Sequence, residues 1–170
     1  MDASSIDLAL LVLRCAVGAV MLAHGINHIF GGGKIAGTAG WFSSLGMKPG
    51  LFHAWLASLT EIGGGVLLVL GFLTPLGGAA VIGTMTVALV TNHRGNGFFI
   101  FRPGEGWEYV MTLIACGFAI AIVGAGGWSL DHAFDIFDPP ADAGLWIALA
   151  GLAGSAVLLA VFWRPEPKTD

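Results

Sequence analysis

Arg14 and Glu61 each interrupt a run of apolar residues in this sequence. At membrane depth a charged side chain costs a few kcal/mol, so each marks a function or a partner. Their runs read as antiparallel helices joined by a short connection. At 1.5 Å rise per residue the two charges are expected about 5 Å apart along the axis. The spacing therefore predicts an intramembrane Arg14–Glu61 pair. Two roles fit it: a static staple between helices, or a site for an anionic or quinone-type headgroup with Glu61 carrying a proton. A buried pair alone is weak evidence for stability, because desolvation offsets the attraction.

Histidines supply the second constellation. His24 and His28 are four residues apart and share a helix face. Arg14, His24 and His28 fall within an arc of about 80°, with Gly18, Met21 and Gly25 beside them. Asn92 and His93 end the third apolar run and Glu108 opens the fourth. Together with Thr84 and Thr91, these groups are expected to line a polar cavity near one membrane face. Several chemistries fit. Histidines at i and i+4 beside a carboxylate bind metal, and imidazoles relay protons to a quinone near neutral pH. His24 and His93 on different helices suit the two axial positions of a haem. The plain alternative is interfacial histidines bonded to backbone or water. HxxxH is unspecific and HExxH is missing.

Other signals are weaker. Cys15 and Cys116 lie in apolar runs without a CxxC and read as small buried residues. They form a redox pair only if their helices adjoin. Asp131, Asp135 and Asp138 make an acidic loop, read as solvated. EF-hand spacing is missing from it. The chain has no phosphate loop, GxSxG or dinucleotide fingerprint.

The elements that must position these groups follow from composition. Of 170 residues, 56 % are hydrophobic and only 11 % charged, and mean hydropathy is +0.83. Soluble domains carry about 25 % charged residues, so a soluble globule, a disordered tail and a coiled coil are excluded. A net charge of −4 offers nothing to nucleic acid. A hydrocarbon core needs about 20 apolar residues as helix. Five runs qualify: Leu8–Phe30, Phe52–Phe72, Pro75–Asn92, Glu108–Gly126 and Gly144–Trp163. The third is the shortest as read. The acidic start MDASSID and the length of the first run argue for a retained helix rather than a signal peptide. Gly31–Gly40 reads as a flexible loop with Trp41 and Phe42 at the interface. Phe98–Phe101 and Trp107 read as aromatic-belt residues in a segment folding over the bundle mouth. Glycine clusters at 63–65, 77–78 and 151/154 suit close helix packing.

With five spans, Lys34, Lys48, Arg94, Arg102, Arg164 and Lys168 fall on one side. Asp2, Asp7, Asp131, Asp135, Asp138 and Asp142 fall on the other. The positive-inside rule then places the N-terminus outside and the C-terminus in the cytoplasm of a bacterial inner membrane.

The first span LLVLRCAVGAVMLAHGINHIF, the block AGWFSSLGM and the second span ASLTEIGGGVLLVLGFLTPLGG together resemble the DoxX/DoxD family. Glu108 and GAGGWSLD look similar to its later part, so the likeness runs over about residues 6–131. The resemblance implies an all-α integral membrane bundle with a four-helix core. It also implies, as roles, a subunit linked to thiosulfate:quinone oxidoreduction or a membrane partner in redox or thiol homeostasis. Arg14, His24, Gly25, Trp41, Glu61 and Glu108 match characteristic family positions. His28 stands where the family usually has a lysine or similar residue, and the fifth span is additional. The expected organisation is residues 1–131 as core, with 132–170 as acidic loop, fifth transmembrane helix and tail.

The expected function is a membrane subunit or accessory of a quinone- or thiol-linked redox system in the lipid bilayer. Glu61, His24 and Glu108 would handle protons, while Arg14, His28, His93, Asn92 and Trp41 would hold the ligand. Quinone is the favoured cofactor over haem or metal, and no metal ligands are assigned. The alternative is a non-catalytic scaffold docking onto a larger membrane complex through the small residues of its fifth span. A transporter fits poorly, because no repeat is evident.

Overall fold

A computed structural model describes residues 2–136 and 140–165; Asp138 and Lys168 lie outside them. The described residues form seven helices and no strands: α1 (Ala3–Phe30), α2 (Lys34–Ser44), α3 (Gly50–Leu70), α4 (Thr74–Ala88), α5 (Glu108–Val123), α6 (Leu130–Phe134) and α7 (Ala141–Phe162). A π-turn over Leu89–His93 extends α4. In lipid the backbone must satisfy its own hydrogen bonds, and the long apolar runs do so as helices. By length and hydropathy α1, α3, α4 with its π-turn, and α7 can each cross a membrane. The fourth expected span is the shortest in the structure, with sixteen residues. It ends early because Gly124, at φ +85°, turns the chain out of the helix. It still crosses the bundle, since α7 begins against Ala121 near its end.

Glycines set the distances. A Cβ on Gly18 would lie 2.9 Å from the Gly65 carbonyl, and one on Gly25 would lie 2.8 Å from the Ser58 carbonyl. At both levels α1 and α3 therefore meet backbone to backbone. Gly78 and Gly117 bring α4 and α5 together in the same way. The shared core is Val17, Met21, Leu68, Val81, Met85 and residues of α5. Helix α7 packs against α4 and α5. Its Gly144 sits on the Ala121 carbonyl and its Gly151 on Ala79. Gly144 and Gly151 are thus used within the chain, whereas Gly154 is exposed with open space beside it. The outward face of α7 presents Trp146, Leu152, Val157 and Val161.

Two expectations are corrected here. Residues 34–44, expected as part of a flexible loop, form helix α2, which packs on α3 beside α1. The acidic segment is also not simply solvated. Asp131 is 2 % exposed, and its carboxylate accepts the backbone N–H groups of Leu73 (2.7 Å) and Thr74 (2.9 Å). A residue 57 positions away thus caps α4, whose Leu73 N-cap has no cap of its own. Asp131→Ala is expected to lower stability by about 1–2 kcal/mol, as lost caps do. The thermal midpoint of the detergent-solubilised protein measures this, and an unchanged midpoint would contradict the assignment.

Candidate functional site

The structure separates Arg14 from Glu61. Gly18 packs at the level of Gly65 and Leu68, and Gly25 at the level of Ser58 and Glu61. In that register Glu61 lies beside residue 25, about 16 Å along α1 from Arg14. The predicted Arg14–Glu61 pair does not form. The 5 Å estimate assumed a short connection between the two spans, whereas α2 and its flanking turns intervene.

Arg14, 1 % exposed, spends its guanidinium on carbonyls instead. Nε donates to Ala125 (3.0 Å), and Nη1 donates to Leu68 (3.0 Å) and Val69 (3.2 Å). Nη2 donates to Trp128. These are the end of α3 and the irregular segment following α5, so one side chain ties three parts of the bundle together. Cys15 and Cys116 are both free thiols.

Glu61 pairs with His28, its Oε2 lying 3.1 Å from Nδ1. The atoms are near enough for an ion pair but are not aligned for a hydrogen bond, and neither atom has a hydrogen-bond partner among the described residues. Both residues line a cavity of about 370 Å³, within the range of small-molecule sites. His24, Trp41, Asn92 and His93 line it too. Six of the eight expected site residues therefore converge. The other two, Arg14 and Glu108, do not line the cavity. Glu108 Oε1 instead accepts the backbone N–H of Ile100 (3.0 Å), holding the aromatic loop before α5.

That loop adjoins the cavity through Glu105. Phe98 packs edge-on against Trp107 at 4.7 Å. His93 Nδ1 donates to the Glu105 carbonyl (2.9 Å), and Asn92 lies 3.3 Å from His93 Nε2. Glu105 itself is among the lining residues. The π-turn is what aims Asn92 and His93. Its Arg94 N–H reaches back five residues to Leu89 (2.9 Å), which rotates the last turn of α4 relative to a regular helix.

The sequence reading missed His53, Tyr109 and the contribution of α7. His53 and Tyr109 line the cavity, with Gly151, Gly154, Ser155 and Leu158 closing another wall. The end of α7 is latched in place: Trp163 Nε1 donates to Leu45 (2.9 Å) and Arg164 N–H to Gly46 (2.8 Å). His53 was findable as one more ionisable residue near the start of an apolar run; the α7 contribution had no local signal. No cluster of three or more metal-ligating side chains occurs among the described residues.

A helical bundle with apolar spans, an intramembrane arginine and a mainly apolar cavity holding a histidine–glutamate pair defines a small integral membrane protein with an internal cavity. The chain belongs to the DoxX family, whose model matches residues 9–94. That match covers α1 to the π-turn and contains every expected site residue except Glu108. No curated protein and no solved structure matches the chain.

Proposed function

We propose that this protein is the membrane subunit or accessory of a quinone- or thiol-linked redox system, and that its cavity takes a quinone-type ring. The supporting observation is the His28–Glu61 pair, buried in the wall of a mostly apolar cavity with hydrogen-bonding capacity left open. Such sites combine apolar walls with a few convergent polar groups. Imidazole and carboxylate together supply proton exchange where a ligand gains or loses protons. In this reading Glu61 and His24 handle protons. His28, His93, Asn92 and Trp41 surround the ligand. Arg14 and Glu108 position the elements from outside the cavity.

The segregation of charge supports an orientation. Lys34, Lys48, Arg94, Arg102 and Arg164 lie at the cavity end of the spans, and Asp2, Asp7, Asp131, Asp135 and Asp142 at the other. The positive-inside rule then puts the cavity end and the C-terminus in the cytoplasm of a bacterial inner membrane, with the N-terminus outside.

The test is chemical. Protein purified in mild detergent is extracted with organic solvent, and the extract is assayed for quinone by its redox difference spectrum. The same protein in lipid nanodiscs is titrated with decylubiquinone and decylubiquinol. Retained quinone near one per chain, or saturable binding of either probe, supports the proposal. Neither retention nor binding by well-folded protein overturns it.

A further inference from the structure

We infer that the cavity selects the reduced, hydroxyl-bearing form of its ring ligand, with His53 Nε2 accepting a hydrogen bond from a ligand hydroxyl; this rests on the quinone reading above.

His53 is 2 % exposed and lines the cavity. Its ring is held edge-on by Phe52 (5.1 Å) and Phe162 (5.0 Å). It hydrogen-bonds the backbone of Lys48, and Nε2 is the nitrogen left without a partner. A ring nitrogen facing a backbone carbonyl must donate, so Nδ1 carries the proton. In the neutral ring Nε2 then offers a bare lone pair. No carboxylate lies within 4 Å of this ring among the described residues, the one histidine–carboxylate contact being His28–Glu61. A second proton on His53 would leave a buried charge uncompensated. His53 is therefore an acceptor.

Five buried side-chain polar atoms lack a hydrogen-bond partner among the described residues. Three of them belong to residues lining this one cavity: His28 Nδ1, Glu61 Oε2 and His53 Nε2. Glu61 and His53 both project from α3, eight residues or about 12 Å of rise apart. They mark two polar poles with apolar wall between them, including Leu56, Ala57 and Met85. An ionised Glu61 also accepts. A quinone presents only carbonyl oxygens, which are acceptors, and finds no donor in His53. A quinol presents an O–H at each end of the ring and can donate to both poles. Leaving a buried acceptor unpaired is the costly case, so the two redox forms are told apart.

Protein in nanodiscs is titrated with decylubiquinol and, separately, with decylubiquinone. The expected result is at least tenfold tighter binding of the quinol, equivalent to about a 30 mV upward shift of the bound two-electron couple. His53→Phe keeps a ring between Phe52 and Phe162, and His53→Leu serves where it misfolds. Either variant is expected to bring the two affinities within threefold by weakening the quinol alone. Equal binding of both forms by the unaltered protein overturns the inference, as does a preference for the quinone. A variant that keeps the full quinol preference also overturns it. Binding of neither form overturns instead the quinone reading on which it rests.

Discussion

Arg14→Ala is expected to abolish accumulation of the folded protein. The guanidinium serves four carbonyls, at Leu68, Val69, Ala125 and Trp128, and is itself almost wholly buried. Truncation leaves the Ala125 and Trp128 carbonyls without a donor, while Leu68 keeps the Gly71 N–H (3.2 Å) and Val69 keeps the Cys15 thiol (3.8 Å). Each orphaned buried acceptor costs about 1–3 kcal/mol. The two orphaned acceptors remove about 2–6 kcal/mol, and the Leu68 and Val69 carbonyls each lose one further hydrogen bond, against a typical stability of about 5–15 kcal/mol. Lysine is not a substitute. Its ammonium is a compact point donor, whereas Arg14 reaches four oxygens with a planar fork of fixed geometry. Arg14→Lys is therefore expected to lose most of the same stability. Yield of monodisperse protein and the thermal midpoint in detergent measure both variants. Near-native yield and midpoint for Arg14→Ala would show that these hydrogen bonds are dispensable.

Arg14 also shows where sequence reasoning works and where it stops. Its unusual position was legible, because one arginine in 28 residues of apolar helix has no local use. Its partners were not. They are main-chain carbonyls, which carry no residue identity, and two of them lie more than 100 positions away. The five apolar helices, four of them long enough to span, were legible from hydropathy, and the convergence of His24, His28, Asn92 and His93 from spacing and the alternation of runs. The register between α1 and α3 was not. It is fixed by backbone contact at Gly18, Gly25 and Gly65, and an inserted helix lengthens the connection. A single shift of about ten residues exchanged Arg14 for His28 as the neighbour of Glu61. Asp131 was hidden for a similar reason: a carboxylate that caps a helix 57 residues away looks like any loop aspartate. The role of α7 depends on how Gly144 and Gly151 meet α5 and α4, which a stripe of small residues does not specify.

The second large effect is expected at Glu61. Glu61→Gln keeps the size of the side chain and removes its charge and its exchangeable proton. His28 Nδ1 and Glu61 Oε2 are 3.1 Å apart, with side-chain exposures of 14 % and 6 %, so the pair is only weakly screened by solvent. A hydrogen bond to a charged group contributes about 1.5–3 kcal/mol, which is roughly a 10- to 100-fold change in dissociation constant. Glu61→Gln is expected to weaken decylubiquinol binding in nanodiscs by that factor. Its elution and thermal midpoint should stay close to those of the unaltered protein. Because Glu61 and His28 act on one ligand end as a unit, their effects should not add. His28→Gln alone, Glu61→Gln alone and the double variant should all fall in the same range, leaving a coupling energy of about 1–3 kcal/mol. Fully additive losses would mean that the two residues contact the ligand independently. A change below threefold for Glu61→Gln in well-folded protein would remove the carboxylate from the site altogether. The cavity would then be an apolar pocket whose one buried acid serves only to hold α3 against the end of α1.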